Sequence, residues 1–239
     1  MLLKVEGLEV AYHKVPALRG LGFAVAEREI VSFVGPNGAG KSTTAMSVAG
    51  IVRSTAGSVI FDGVDITRTP AEKIAQAGIS LVPEGRRIFG RMTVRDNLLV
   101  GTRMRRASHD VRTGLDYVFS LFPILAERQD SAAGLLSGGE QQQLAIARAL
   151  MTKPRLMIVD EPSLGLAPRF VDLVFETFAA LRNQGLTLLI MEQSSRRALA
   201  LADRVYLVRS GGVVKSGTVS ELSSDPSFEA AYFGEVGAR

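Results

Sequence analysis

Ile30-Val31-Ser32-Phe33-Val34-Gly35-Pro36-Asn37-Gly38-Ala39-Gly40-Lys41-Ser42-Thr43 is the stretch on which the reading of this chain turns. Five residues of strand composition run into a glycine-rich turn, and a helix-like segment follows Ser42, so the pattern G-x-x-x-x-G-K-[ST] stands in the setting its mechanism needs. Gly35, Gly38 and Gly40 allow positive φ and close backbone approach. The N–H groups from Gly35 through Pro36, Asn37, Gly38, Ala39 and Gly40 to Thr43 then form a phosphate cradle at a helix start, Pro36 alone lacking a donor. In such a cradle Lys41 reaches the β- and γ-phosphates and the Ser42 hydroxyl ligates magnesium. The bland alternative is a glycine-rich turn with an accidental lysine.

Further along, the apolar run Leu156-Met157-Ile158-Val159 ends in Asp160-Glu161, the composition of a buried parallel strand with two acids at its exit. Carboxylates there lie at the ligand-binding edge of a sheet. Asp160 is read as a magnesium holder, directly or through water, and Glu161 as the group that polarises an attacking water. Taken alone, the run is equally a capped strand. Between these two motifs lies Leu136-Ser137-Gly138-Gly139-Glu140-Gln141, followed by helically spaced apolar residues as far as Leu150. Taken alone, Ser137 is an N-cap behind a glycine loop.

Leu-Ser-Gly-Gly-Glu-Gln, placed after the phosphate loop and just before the Asp-Glu strand, resembles the signature of ATP-binding cassette (ABC) ATPases. That resemblance implies an α/β fold, a P-loop NTPase core with an inserted helical subdomain. It also implies ATP and Mg2+ as cofactors, with Ser137, Gly138, Gly139 and Glu140 meeting the γ-phosphate held by a partner subunit. The stretches Val82 to Phe89, Met92 to Val94, Glu161 to Pro168, Met191 to Gln193 and Ala231 to Gly234 narrow the likeness. They resemble the smaller ATPase subunit of bacterial branched-chain amino-acid importers. Tyr12, as an isolated residue an ordinary interfacial aromatic, would by this resemblance stack on adenine; preference for ATP over GTP is inherited from the family.

Three positions depart from the wider superfamily. Glu84 stands where a magnesium-contacting glutamine is usual, and a carboxylate remains a hard oxygen ligand. Gln193 stands where a switch histidine is expected, and the two histidines, His13 and His109, lie elsewhere. A glutamine can hydrogen-bond a γ-phosphate but carries no proton near neutral pH, which leaves water activation to Glu161. Ala167 replaces an aspartate of the cross-dimer contacts.

The resemblance implies a second ATPase subunit, in a hetero- or homodimer, together with two transmembrane permease subunits and, indirectly, an extracytoplasmic substrate-binding protein. A place on the cytoplasmic face of the plasma membrane follows. The bulk properties agree. The 239 residues suit one ABC domain, with 1–82 and 154–239 as its catalytic α/β core and 83–153 as the helical signature subdomain. Cysteine is absent, the first residues lack a signal-peptide pattern, and no stretch approaches the ~18 apolar residues of a membrane span. A net charge of +4, from 28 basic and 24 acidic residues, does not demand nucleic acid. Arg86, Arg87, Arg91, Arg95, Arg103, Arg105 and Arg106 cluster in sequence. They read either as a solvated face or as a surface that docks a permease helix or anionic lipid. An exporter or lipid-transport ATPase and a urea or amide importer are the alternative functions. A translation factor with two cassettes and a DNA-maintenance ATPase with a coiled-coil insertion do not match this pattern.

Overall fold

The structure, a computed structural model, describes residues 1–104, 108–225 and 228, with the side chains of 103–110 outside the description. The side chains of Arg103 and His109, the residues Arg105 and Arg106, and the closing Ala231 to Gly234 therefore fall outside what is described. In chain order the strands are β1 (Leu3–Tyr12), β2 (Val15–Val25), β3 (Ile30–Val34), β4 (Ala56–Phe61), β5 (Val64–Asp65), β6 (Ile79–Val82), β7 (Leu156–Asp160), β8 (Thr187–Glu192), β9 (Arg204–Arg209) and β10 (Gly212–Thr218). The helices are α1 (Lys41–Val48), α2 (Ala71–Ala77), α3 (Val94–Val100), α4 (Ser108–Leu121), α5 (Pro123–Glu127), α6 (Gly138–Leu150), α7 (Pro168–Asn183), α8 (Ser195–Leu201) and α9 (Val219–Ser223).

The central sheet has the order β10-β9-β3-β8-β7-β6, parallel except for the β10–β9 hairpin. Every residue of β3, β7 and β8 is buried, as strands covered on both faces must be. Alternation then assigns the two faces. Ile30, Val34, Val82, Val159, Leu188 and Ile190 pack with α6, α7 and the other helices that follow β6. Val31, Phe33, Ile158, Leu189 and Met191 pack with α1 and a second sheet. That second sheet is antiparallel, in the order β2-β1-β4-β5, and its strands bury alternate residues because only one face meets the core. Phe23 from it meets Phe33 edge to face with ring centroids 4.6 Å apart.

The segments expected to form the catalytic α/β core, 1–82 and 154–239, contribute to two sheets, and of the strands in 1–82 only β3 and β6 join the parallel one. The burial alternation of β1 and β2 is the physical reason, since such strands cannot be covered on both faces. Within the helical segment after β6, α3 stops at Val100 and a 3-10 turn runs from Gly101 to Met104. Gly101 ends it against α6: a Cβ there would lie 2.5 Å from the Arg148 carbonyl oxygen.

Candidate active site

Parallel strands aim their carboxyl ends at one edge, and the predicted residues gather there. Gly35 follows β3, Glu84 lies two residues beyond β6, Asp160 ends β7, and Gln193 follows β8. A cavity of about 350 Å3 at this edge is lined by Asn37, Gly38, Gly40, Lys41, Ser42, Thr43, Glu84 and Glu161, with Ala17 and Leu164. A larger cavity, about 530 Å3, opens at the opposite ends of β7 and β8 beside Tyr117 and Leu181; none of the predicted site residues lines it. The smaller one is the candidate because it joins a glycine loop to carboxylates and a lysine.

The loop's glycines divide their labour. Gly38 and Gly40 take positive φ, 79° and 108°, and Gly40 caps α1 from the left-handed region. Gly35 does not, a correction to its conformational role: it serves close approach, since a Cβ would sit 2.2 Å from the Val208 carbonyl oxygen of β9. Ala39 is buried beneath the loop.

Lys41 and Glu161 face each other inside the cavity. The Lys41 Nζ lies 3.0 Å from Glu161 Oε1, with the two side chains 4% and 9% exposed. The same ammonium donates to the carbonyl oxygens of Gly35 (2.8 Å) and Pro36 (3.2 Å). Glu161 reaches this position by leaving β7 in the left-handed region, at φ 49°, a conformation that costs a non-glycine residue about 1–2 kcal/mol. Strain of this kind concentrates where geometry serves chemistry.

Asp160 is 5% exposed and its Oδ1 has no hydrogen-bond partner among the described residues. Burial pushes its carboxyl up to about 6; the Ser42 hydroxyl opposes this, the Glu161 and Glu84 charges add to it, and Lys41 opposes it. An orphaned buried oxygen with Ser42 and Glu84 nearby is a set of hard donors that fits Mg2+. No cluster of three or more His, Cys, Asp or Glu side chains that could hold a metal ion is found among the described residues. A cation here would complete its shell with phosphate oxygens and water, as Mg2+ does.

A stability prediction follows from that carboxyl. The folded chain holds the Asp160 proton more tightly than the unfolded chain, so the cost of ionising it builds between pH ~4 and ~6 and persists above. Asp160→Asn is expected to stabilise the nucleotide-free protein by about 1–3 kcal/mol at pH 7.5 while abolishing turnover. Denaturant unfolding at pH 7.5 and pH 4 checks this; an equal effect at both pH values would refute the assignment.

The signature residues stand apart from the cavity. Ser137 caps α6 through a reciprocal box: the Glu140 N–H donates to Ser137 Oγ (3.4 Å) and the Ser137 N–H to Glu140 Oε2 (2.7 Å). Gly138 starts the helix, and Gly139 is packed against α7, where a Cβ would lie 2.2 Å from the Phe170 ring. Gly139→Ala is therefore expected to cost about 1–3 kcal/mol, read from urea unfolding; unchanged stability would show that Phe170 yields freely. Tyr12 lies at the β1–β2 turn, 43% exposed and outside the cavity lining. Gln193 is exposed.

Some residues were not singled out from sequence. Ala17 and Leu164 line the cavity. Glu192, 1% exposed, accepts from the N–H groups of Gln193 (3.1 Å) and Ser194 (3.4 Å) and so fixes the backbone just after β8. Burial raises its carboxyl pKa. Arg197 donates to Ser163 Oγ (2.9 Å), joining the segment after β8 to the one after β7. The sequence signals for Glu192 were its place at the end of an apolar run and within the stretch Met191 to Gln193 that carries the resemblance.

The sequence model of the ABC transporter family matches residues 18–164. The chain belongs to the ABC transporter family. As an ABC ATPase it binds and hydrolyses ATP. It is 42% identical, over 98% of its length and all of the relative's, to the high-affinity branched-chain amino acid transport ATP-binding protein BraG of Pseudomonas aeruginosa. It is 34% identical to the lipopolysaccharide export system ATP-binding protein LptB of Haemophilus influenzae, covering 98% of both chains. Among solved ABC structures, a nucleotide-free ATP-binding cassette from an ABC transporter superposes with a TM-score of 0.86 at 27% identity, covering 98% of this chain and 99% of that one. No helix among the described residues is long and apolar enough to cross a membrane.

Proposed function

We propose that this ABC ATPase powers uptake of branched-chain or related amino acids through separate permease subunits, working as one half of a two-ATPase sandwich at the cytoplasmic face of the membrane. The observation that carries the substrate class is the 42% identity, end to end, with a branched-chain amino-acid transport subunit. Lipopolysaccharide-export relatives at 34% identity favour an exporter as the second reading. In the first reading, residues 83–153 form a helical arm that offers the signature to the partner's nucleotide, and Tyr12 closes on adenine.

The mechanism starts from the Lys41–Glu161 pair. Lys41 is held by Glu161 and by the carbonyl oxygens of Gly35 and Pro36. An arriving triphosphate competes for the ammonium, its oxygens cradled by the N–H groups of Gly38 to Thr43. Glu161, released, accepts a hydrogen bond from water. That water attacks the γ-phosphorus as the bond to the β–γ bridging oxygen breaks, giving ADP, inorganic phosphate and a proton. Asp160, Ser42 and Glu84 would hold Mg2+, which neutralises charge on the β- and γ-phosphates. Gln193 hydrogen-bonds the γ-phosphate, its backbone held by Glu192. Closure on ATP and reopening after hydrolysis would drive the permeases between their two states.

The test is extraction from its own cells in mild detergent, identification of copurifying chains, and uptake measured with labelled leucine in a strain lacking the gene. Two multi-spanning permeases, a second ATPase and lost leucine uptake are expected. Recovery with lipid-export components would establish the exporter reading instead.

A further inference from the structure

Arg86 was grouped by sequence with a surface cluster, yet the structure turns it inward onto the signature. The loop after β6 places Gly85, Arg86 and Arg87 in succession at φ 74°, 65° and 46°. Two consecutive non-glycine residues in the left-handed region cost about 1–2 kcal/mol each, and the surrounding structure holds them there. The Arg148 Nη2 donates to the Arg86 carbonyl (3.3 Å), and Asn97 bonds both the N–H and the carbonyl of Phe89 (2.8 and 3.0 Å).

So held, the Arg86 guanidinium lies beside Gly138 and Gly165. A Cβ on Gly138 would meet Nη1 and Nη2 at 3.2 Å, and one on Gly165 would meet Nη2 at 3.9 Å. Its polar contacts are long and uncharged: the Gln141 Oε1 and the Gly165 carbonyl, each at 3.5 Å. The nearest signature carboxylate, Glu140, is committed to the Ser137 N–H. Arg155, Arg182 and Arg204 each close on a carboxylate, whereas Arg86 makes no ion pair among the described residues. A half-buried guanidinium with two weak neutral acceptors retains most of its capacity for a charged one.

We propose that Arg86 contacts the γ-phosphate of the nucleotide bound by the partner subunit, as an arginine supplied in trans beside Ser137. This rests on the reading above, in which the signature faces the partner's nucleotide. The planar guanidinium would offer two N–H groups to γ-phosphate oxygens and oppose the charge that spreads over them as the bridging bond breaks. Because Glu84 precedes it by two residues, the same loop would sense the chain's own nucleotide at one point and the partner's at the other.

The experiment is a mixed dimer isolated through two affinity tags and assayed in a single turnover. Arg86→Gln alone should release phosphate at least about 10-fold more slowly than the parent. Pairing an Arg86→Gln chain with a Glu161→Gln chain leaves one site that has its own Glu161 and receives an intact Arg86 across the interface. The expected result is a burst of about one phosphate per dimer at the parental rate. The same pairing with Arg86→Lys covers a glutamine variant that fails to fold. Ser137→Ala paired with Glu161→Gln is the control for the trans arrangement itself. A control burst without an Arg86 burst places Arg86 in its own chain's site and overturns the proposal. So does Arg86→Gln turning over at the parental rate. No burst from the control overturns a sandwich built from two copies of this chain, and Arg86 in trans across that interface falls with it.

Discussion

Glu161→Gln is expected to lower ATP turnover by at least about 100-fold while ATP binding is retained or strengthened. Glutamine matches the shape of glutamate, so the left-handed exit from β7 survives, but its amide cannot take a proton from water. The pairing of Lys41 changes as well. In the parent, ATP must draw Lys41 away from a carboxylate 3.0 Å distant; in the variant it displaces only neutral acceptors. Tighter binding with blocked cleavage predicts an ATP-dependent dimer that persists, visible by size-exclusion chromatography and absent with ADP. Turnover within threefold of the parent would remove Glu161 from the role of base.

Lys41→Ala carries the second large effect, in two parts. Nucleotide affinity should fall at least about 100-fold, because the cradle loses its one buried cation while Glu161 still presents a negative charge to the phosphates. The nucleotide-free protein should also lose about 3–5 kcal/mol of stability, since removing one partner strands the other charge where water hardly reaches. The double variant Lys41→Ala/Glu161→Gln separates these parts. Stability should return towards the parent while affinity stays low. If affinity returned with stability, the role of Lys41 would be to neutralise Glu161 and not to hold phosphate.

What was legible in the sequence was local. The phosphate loop, the buried strand ending at Asp160 and the N-cap at Ser137 each occupy a few consecutive residues whose spacing dictates their geometry. Pairings across long separations were not. Lys41 and Glu161 are 120 positions apart, and no periodicity states that their side chains close on each other. The requirement for glycine at 139 looked like phosphate chemistry and is also packing, imposed by Phe170 from the next long helix. Arg86 was misread for a related reason: a run of arginines suggests a solvated face, and only the left-handed turn at residues 85–87 shows that one of them points back into the fold. The separate antiparallel sheet was not legible because it joins β1 to β4, about fifty residues further along the chain.

The strand order β3-β8-β7-β6 bears on how this chain can change in length. Gly35, Gln193, Asp160 with Glu161, and Glu84 all stand at or within two residues of the ends of four adjacent strands. With neighbours about 4.8 Å apart, these groups are set out across roughly 14 Å, like marks on a ruler. Deleting one residue within any of the four strands would draw its group back by about 3.3 Å and turn the strand's side chains to the opposite face. Insertions and deletions should therefore be accepted at the amino-terminal ends of these strands and in the segments leading to them, and rejected at their carboxyl ends, whichever residue is added or removed.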